Sequence, residues 1–276
     1  MNKKYTIGFS PCPNDTFIFD AMIHNRLYEN NTWTPHLLDV EALNKNAAEE
    51  RFDVTKMSFA AFALVSDKYQ ILNSGSALGR GCGPLIISKV PLTLEDLKYK
   101  TFAIPGARTT ANLLMSIFVP ECKAKVEMVF SEIEEAVLSG RCDAGLIIHE
   151  NRFTYQQKGL FKVADLGELW ESKTGLPIPL GCIAVKRSLS EEEKNKIDTI
   201  IRASVEFAFA NPEASKDYIA QHAQEMNSVV QQQHIDLYVN EFSVTLGQDG
   251  KKAIETLFNE GFKAGMIPEI LEPIFI

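Results

Sequence analysis

TIGFSPCPNDTFIFDAMI (Thr6–Ile23) and TFAIPGARTTANLLMSIF (Thr101–Phe118) can be laid over one another without a gap. Each reads as a short apolar strand, a loop of proline and small residues, a polar pair and an apolar helix. Asn14-Asp15 falls on Thr109-Thr110. A second pair follows in the same order. EERFDVTKMS (Glu49–Ser58) matches SGRCDAGLIIH (Ser139–His149) in pattern: a helix end with Arg-x-Asp, then a strand leading to polar residues. One such match can arise by chance, but two in the same order point to an internal repeat.

The segments around the repeat alternate. Residues 15 to 28 read as a helix, with Ile18/Met22 and Phe19/Ile23 four apart. TWTPHLLDV and DVTKMSF read as strands, and ALNKNAAEERF and AAFALVSDK as helices. This predicts an α/β protein of two similar lobes with mainly parallel sheets. Residues 1–89 and 183–276 are expected to form the first lobe and residues 90–182 the second. The outward crossing is expected near Lys89–Pro91, and GLPIPLGCIAVKR (Gly175–Arg187) brings the chain back. Helices then follow, with a break at Asn211-Pro212 and a start at Ser190 marked by three glutamates.

Composition narrows the class. The chain has 276 residues, 45% of them hydrophobic, so a sizeable core is available. A formal net charge of -8 argues against a nucleic-acid partner. No apolar run approaches the ~20 residues of a membrane helix. Lys3 and Lys4 lead straight into TIGF and Pro11, which leaves no room for a signal's apolar stretch, so a cytoplasmic location is expected. The five cysteines are dispersed without a CxxC pair. Neither a disulfide framework nor a zinc site is expected.

Ligands of open α/β sheets bind beyond the carboxyl ends of the strands. The repeat therefore directs Asn14, Asp15, Thr109 and Thr110 to one cleft, as capping-type residues at helix starts. Free N–H groups and the helix dipole there suit an anionic or polyhydroxylated small molecule. His149 ends a strand-like run and can act as a general base near neutral pH. A satisfied histidine at a strand end is the competing reading, and the repeat tips the balance by placing His149 opposite Ser58. Lys56, Met57 and Ser58 end the matching strand. Backbone and Ser58 hydroxyl contacts to a ligand are favoured there over Schiff-base chemistry at Lys56. His24, His36, His222 and His234 lack metal-ligand spacing and read as surface or packing residues. Gly79–Pro84 lacks the P-loop lysine and precedes an apolar run, so it reads as a turn lining the cleft, with Arg80 a weak candidate for a carboxylate. Cys12, between two prolines, reads as packing.

GFSPCPNDTFIFDA, DVTKMSFAA, PGARTTANLL and GLIIHENRFTY together resemble the 1,4-dihydroxy-6-naphthoate synthase family of the futalosine route to menaquinone. The resemblance runs through nearly the whole chain, and SPCPNDT and IIHE are its specific parts. It implies a type II periplasmic-binding-protein-like fold and a lyase that uses no metal or organic cofactor. The implied substrate is the small-molecule carboxylate cyclic dehypoxanthinyl futalosine, cleaved to the naphthoate and dihydroxyacetone. His149 would be the proton-abstracting base, with Lys56 to Ser58 and Thr109-Thr110 binding substrate. Two alternatives are a passive anion-binding protein of the same fold and the related chorismate dehydratase, from which SPCPND and IIHE set this chain apart.

Overall fold

The computed structural model describes residues 3–27 and 32–276. β1 (Lys4–Phe9), α1 (Pro13–Ile23), β2 (Thr32–Leu37), α2 (Val40–Ala48), β3 (Val54–Ser58), α3 (Phe59–Ala63), β4 (Tyr69–Ile71) and β5 (Ala77–Gly79) come first. The expected first helix thus ends at Ile23, and Tyr28 lies outside the described residues. β6 (Leu85–Ser88), β7 (Phe102–Ile104), α4 (Thr110–Phe118), β8 (Lys125–Glu127), α5 (Ile133–Leu138), β9 (Ala144–Ile147), α6 (Asn151–Thr154), β10 (Phe161–Asp165) and α7 (Leu166–Thr174) follow. β11 (Ile178–Lys186) precedes α8 (Glu191–Ala210), α9 (Lys216–His222), α10 (Ser228–Tyr238), α11 (Glu241–Val244) and α12 (Gly247–Lys263). The Ser190 side chain and Glu193 close a capping box at the start of α8, where the glutamate run lies.

The strands form two sheets, ordered β2-β1-β3-β11-β4 (with β5 also on β11) and β8-β7-β9-β6-β10. These orders are equivalent position by position. Ile7 pairs with Val54 as Phe102 pairs with Ala144. Asp53 accepts from the Thr6 backbone N–H at 2.8 Å, and Asp143 accepts from that of Thr101, also at 2.8 Å. The two Arg-x-Asp elements therefore serve one purpose: each aspartate ties its strand's entry to the neighbouring strand. Most strands of each sheet run in one direction, as expected, but each sheet also holds one reversed strand. β11 runs antiparallel to β3, β4 and β5, and β6 runs antiparallel to β9 and β10. Each of these two strands enters its sheet from the other one, against the direction of the local β-α-β run.

By pairing, the chain passes to the second sheet between Gly79 and Leu85 and returns between Asp165 and Ile178. Both passages lie a few residues ahead of those expected at 89 and 182. One large apolar cluster spans both sheets. It joins Phe59 and Phe62 of α3, Leu113 and Leu114 of α4, Phe102 of β7, Ala184 of β11 and Phe258 of α12.

At the outward passage Gly83 lies flat against Gly167. A Cβ on Gly83 would run into the Gly167 backbone. Arg152 reinforces this point by donating to the Gly83 carbonyl and, at 2.7 Å, to Asp165. Gly83→Ala must push two backbones apart. It should lower unfolding stability by about 1–3 kcal/mol in urea titration, the usual range for overpacking.

Candidate active site

A cavity of about 700 Å3, part of it open to solvent, lies between the two sheets. Asn14, Asp15, Lys56, Met57, Ser58, Thr109, Thr110 and His149 all line it. The repeat explains the convergence: the carboxyl ends of β1, β3 and β9 and the first turn of α4 all open on this space.

The first-lobe wall is a buried polar chain. Lys56 Nζ donates to Asp15 Oδ1 at 2.7 Å, with side chains 9% and 1% exposed. Asp15 also accepts from Ser10 Oγ at 2.7 Å, the Ser10 backbone N–H at 3.1 Å and Asn14 Nδ2 at 2.9 Å. Asn14 and Asp15 are not caps, as expected from their residue types. The N-cap of α1 is Cys12, with Pro13 next, and the two polar residues fill the first turn. Asp15 instead draws the β1–α1 loop closed and neutralises Lys56. Asn44 holds Ser58 reciprocally: its Oδ1 accepts the Ser58 N–H at 2.9 Å and its Nδ2 donates to Ser58 Oγ at 3.2 Å.

On the opposite wall Thr109 is the N-cap of α4, its Oγ1 accepting the Asn112 N–H at 3.2 Å. Thr110 bridges the lobes. Its Oγ1 donates to the Leu180 carbonyl of β11 at 2.7 Å and accepts the Ala60 N–H of α3 at 3.3 Å. Both hydroxyls are thus engaged within the protein. Thr110 and Ala111 both line the cavity, and as the first two residues of α4 their backbone N–H groups precede the first intrahelical bonds.

His149 sits two residues past β9 with φ 58°, a left-handed conformation uncommon outside glycine. Its ring lies 5.0 Å from Phe130 and is stacked on His234 at 5.9 Å and 14°. Burial pushes its pKa down to about 4, with Asp15 opposing and Lys56 assisting. The imidazole is therefore neutral at pH 7 and can accept a proton. Burial likewise raises Glu150 and carries the Cys12 thiol well above its usual range. Cys12, His149 and Glu150 each bring a ligand atom within 4.8 Å of the others, a spacing a divalent cation could bridge. A thiol held protonated by burial is poorly prepared for that role.

Sequence reasoning missed His234 and Tyr238, which reach the cavity from α10, and the Leu180-Gly181 stretch of β11. His234, expected to be a packing residue, is fully buried and bonds Asn14 Oδ1 through Nε2 at 2.9 Å. Nothing local marks it: α10 is more than 200 residues from Asn14 in the chain. Cys82 and Pro84 line the cavity as the glycine-rich turn suggested, but Arg80 does not. Arg80 turns outward to the Gly175 carbonyl at 2.9 Å and to Glu171 at 3.6 Å, which removes it as a carboxylate contact.

A family model described as menaquinone biosynthesis matches residues 5–263. A 1,4-dihydroxy-6-naphthoate synthase of Thermus thermophilus is 46% identical over 275 residues, spanning 98% of each chain. One from Streptomyces coelicolor is 44% identical over 269 residues, spanning 96% of this chain and 95% of its own. A crystal structure of a protein from Archaeoglobus fulgidus superposes with a TM-score of 0.91 at 34% identity, covering 96% of this chain and 98% of that one. The alkanesulfonate-binding protein SsuA of Xanthomonas axonopodis pv. citri superposes at 0.76 with 12% identity, over 100% and 99% of the two chains. That likeness carries the periplasmic-binding-protein-like fold alone.

Two outcomes follow from the site's electrostatics. Lys56→Met strands Asp15 as a buried charge and should cost roughly 3–5 kcal/mol of stability, most of it recovered in the Lys56→Met/Asp15→Asn double variant. In a 15N NMR titration His149 should protonate near pH 4 in the folded protein. The unfolded chain binds that proton near pH ~6.5, so this residue's share of stability is complete above ~6.5 and lost as pH falls toward the folded value.

Proposed function

The chain belongs to the menaquinone biosynthesis family, and from that membership and the cleft we propose that it works as a 1,4-dihydroxy-6-naphthoate synthase with His149 as the base. The observation that carries the reading is a half-buried imidazole facing a hydrogen-bonded polar wall across the cavity. The substrate is cyclic dehypoxanthinyl futalosine, a carboxylate with several hydroxyls. Its carboxylate rests on the Thr110 and Ala111 N–H groups at the start of α4, where the helix dipole favours a negative charge. Lys56 keeps its charge balanced by Asp15. It therefore acts with Asn14, Met57 and Ser58 as an ordered surface for the hydroxylated part.

His149 takes a proton from the substrate, and that loss sets off carbon–carbon cleavage with release of dihydroxyacetone. Aromatisation of the bicycle supplies driving force, and the unprotonated imidazole is free to act. The imidazolium so formed can return its proton to a product. Free, buried thiols at Cys12, Cys82, Cys122, Cys142 and Cys182 support residence in the reducing cytoplasm. Among the described residues no helix is long and apolar enough to cross a membrane.

Incubation with the cyclic substrate should yield the naphthoate, followed by chromatography. His149→Ala should lower turnover by at least ~100-fold, the lower range for a general base, while substrate affinity by calorimetry changes little. Wild-type turnover in that variant would remove His149 from the chemistry.

A further inference from the structure

His234 and Glu150 form a buried pair that the reaction as described leaves unused. Asn14 fixes the state of His234. Asn14 Nδ2 donates to Asp15 Oδ1 at 2.9 Å, and the same carboxylate takes Lys56. The reverse amide orientation would aim an oxygen at a carboxylate. The Asn14 oxygen therefore faces His234 Nε2 at 2.9 Å, and an amide oxygen only accepts, so Nε2 carries the hydrogen. Burial holds His234 neutral, with His149 adding to the effect, which leaves a lone pair on Nδ1. Nδ1 faces Glu150 Oε2 at 3.7 Å, and neither atom has another partner. The side chains are 1% and 8% exposed. Two acceptors cannot face one another in a buried site unless one of them holds a proton.

We propose that His234 is a positioning residue for the reaction, acting as its Nε2–H tautomer and accepting at Nδ1 from Glu150, which enters catalysis as a neutral carboxylic acid. The groups facing Glu150 agree with that state. They are Cys12 at the head of α1, His149 beside it in the chain, and His234 and Tyr238 on α10. The carboxylates of Glu134 and Glu225 lie beyond and oppose a further negative charge. At 3.7 Å the contact is longer than a hydrogen bond, as catalytic contacts often are before substrate is bound. One side of the His234 ring braces Asn14, Asp15 and Lys56, and its face braces the His149 ring. A neutral Glu150 matters because a carboxylate so near His149 would draw a proton onto the base before substrate arrived.

The inference rests on the synthase reading for its kinetic arm only. In 15N-labelled protein at pH 7, long-range 1H–15N correlations should show His234 protonated at Nε2 and bare at Nδ1. Infrared difference spectra between wild type and Glu150→Gln should lose a protonated-carboxyl band. An Nδ1–H tautomer, an imidazolium or the absence of that band would overturn the proposal. In turnover, His234→Phe and Glu150→Ala should each lose about 100-fold in kcat with little change in KM, the scale of a misplaced reacting group. His234→Gln restores a donor toward Asn14, and Glu150→Gln restores one toward Nδ1. Each should recover at least about tenfold over its partner variant, within the range seen for outer-shell hydrogen bonds. Glu150→Gln as poor as Glu150→Ala would mean that charge, not the proton, is what Glu150 supplies. Wild type without synthase turnover would remove the function and leave the spectra to judge the tautomer.

Discussion

Each sheet of this protein is completed by a strand that arrives from the other. β6 stands in the second sheet where β11 stands in the first, and both run antiparallel to the strand beside them. This exchange forces two passages of the chain between the lobes and sets the lobes' strand ends facing one cavity. The contact of Gly83 with Gly167 joins the outward passage to the return one, and the Arg152–Asp165 bond lies beside it. Arg152 sits three residues after His149, so the bonds that secure the crossing also anchor the turn that carries this histidine.

The cleft handles charge by cancellation. Lys56 and Asp15 neutralise one another, and burial holds His149 and His234 neutral. Lys56 is therefore not a free cation in this cleft, and the start of α4 is the other source of positive potential on its wall. Fixed dipoles need no counter-ion and do not reorganise as charge moves during a reaction. The same economy explains why Ser10, Asn14 and Asn44 are spent on orienting neighbours.

Much of this was legible in the chain because the repeat is local. Thr6 and Thr101, Asp53 and Asp143, and the loops after β1 and β7 carry their signals within short windows. The strand direction of β6 and β11 was not legible, since LIIS and IPLGCIAVK are apolar runs whatever direction they take. Asn14 and Asp15 were found as cleft residues but misread as caps, because residue type alone cannot show that Pro13 moves the helix start ahead of them. His234 escaped because its partners are set by the packing of α10, and Arg80 misled because an exposed guanidinium follows whichever carboxylate lies near, here Glu171.

The apolar cluster described above does not stop at the lobe boundary. It runs from α3 and β11 through α4 to β7, and α12 packs against both β11 and α4. Neither lobe can lose its structure without exposing the flank of the other. Although the chain is built twice on one plan, its halves are not independent folding units. Heat should take them apart in one cooperative transition, with the calorimetric and van't Hoff enthalpies equal.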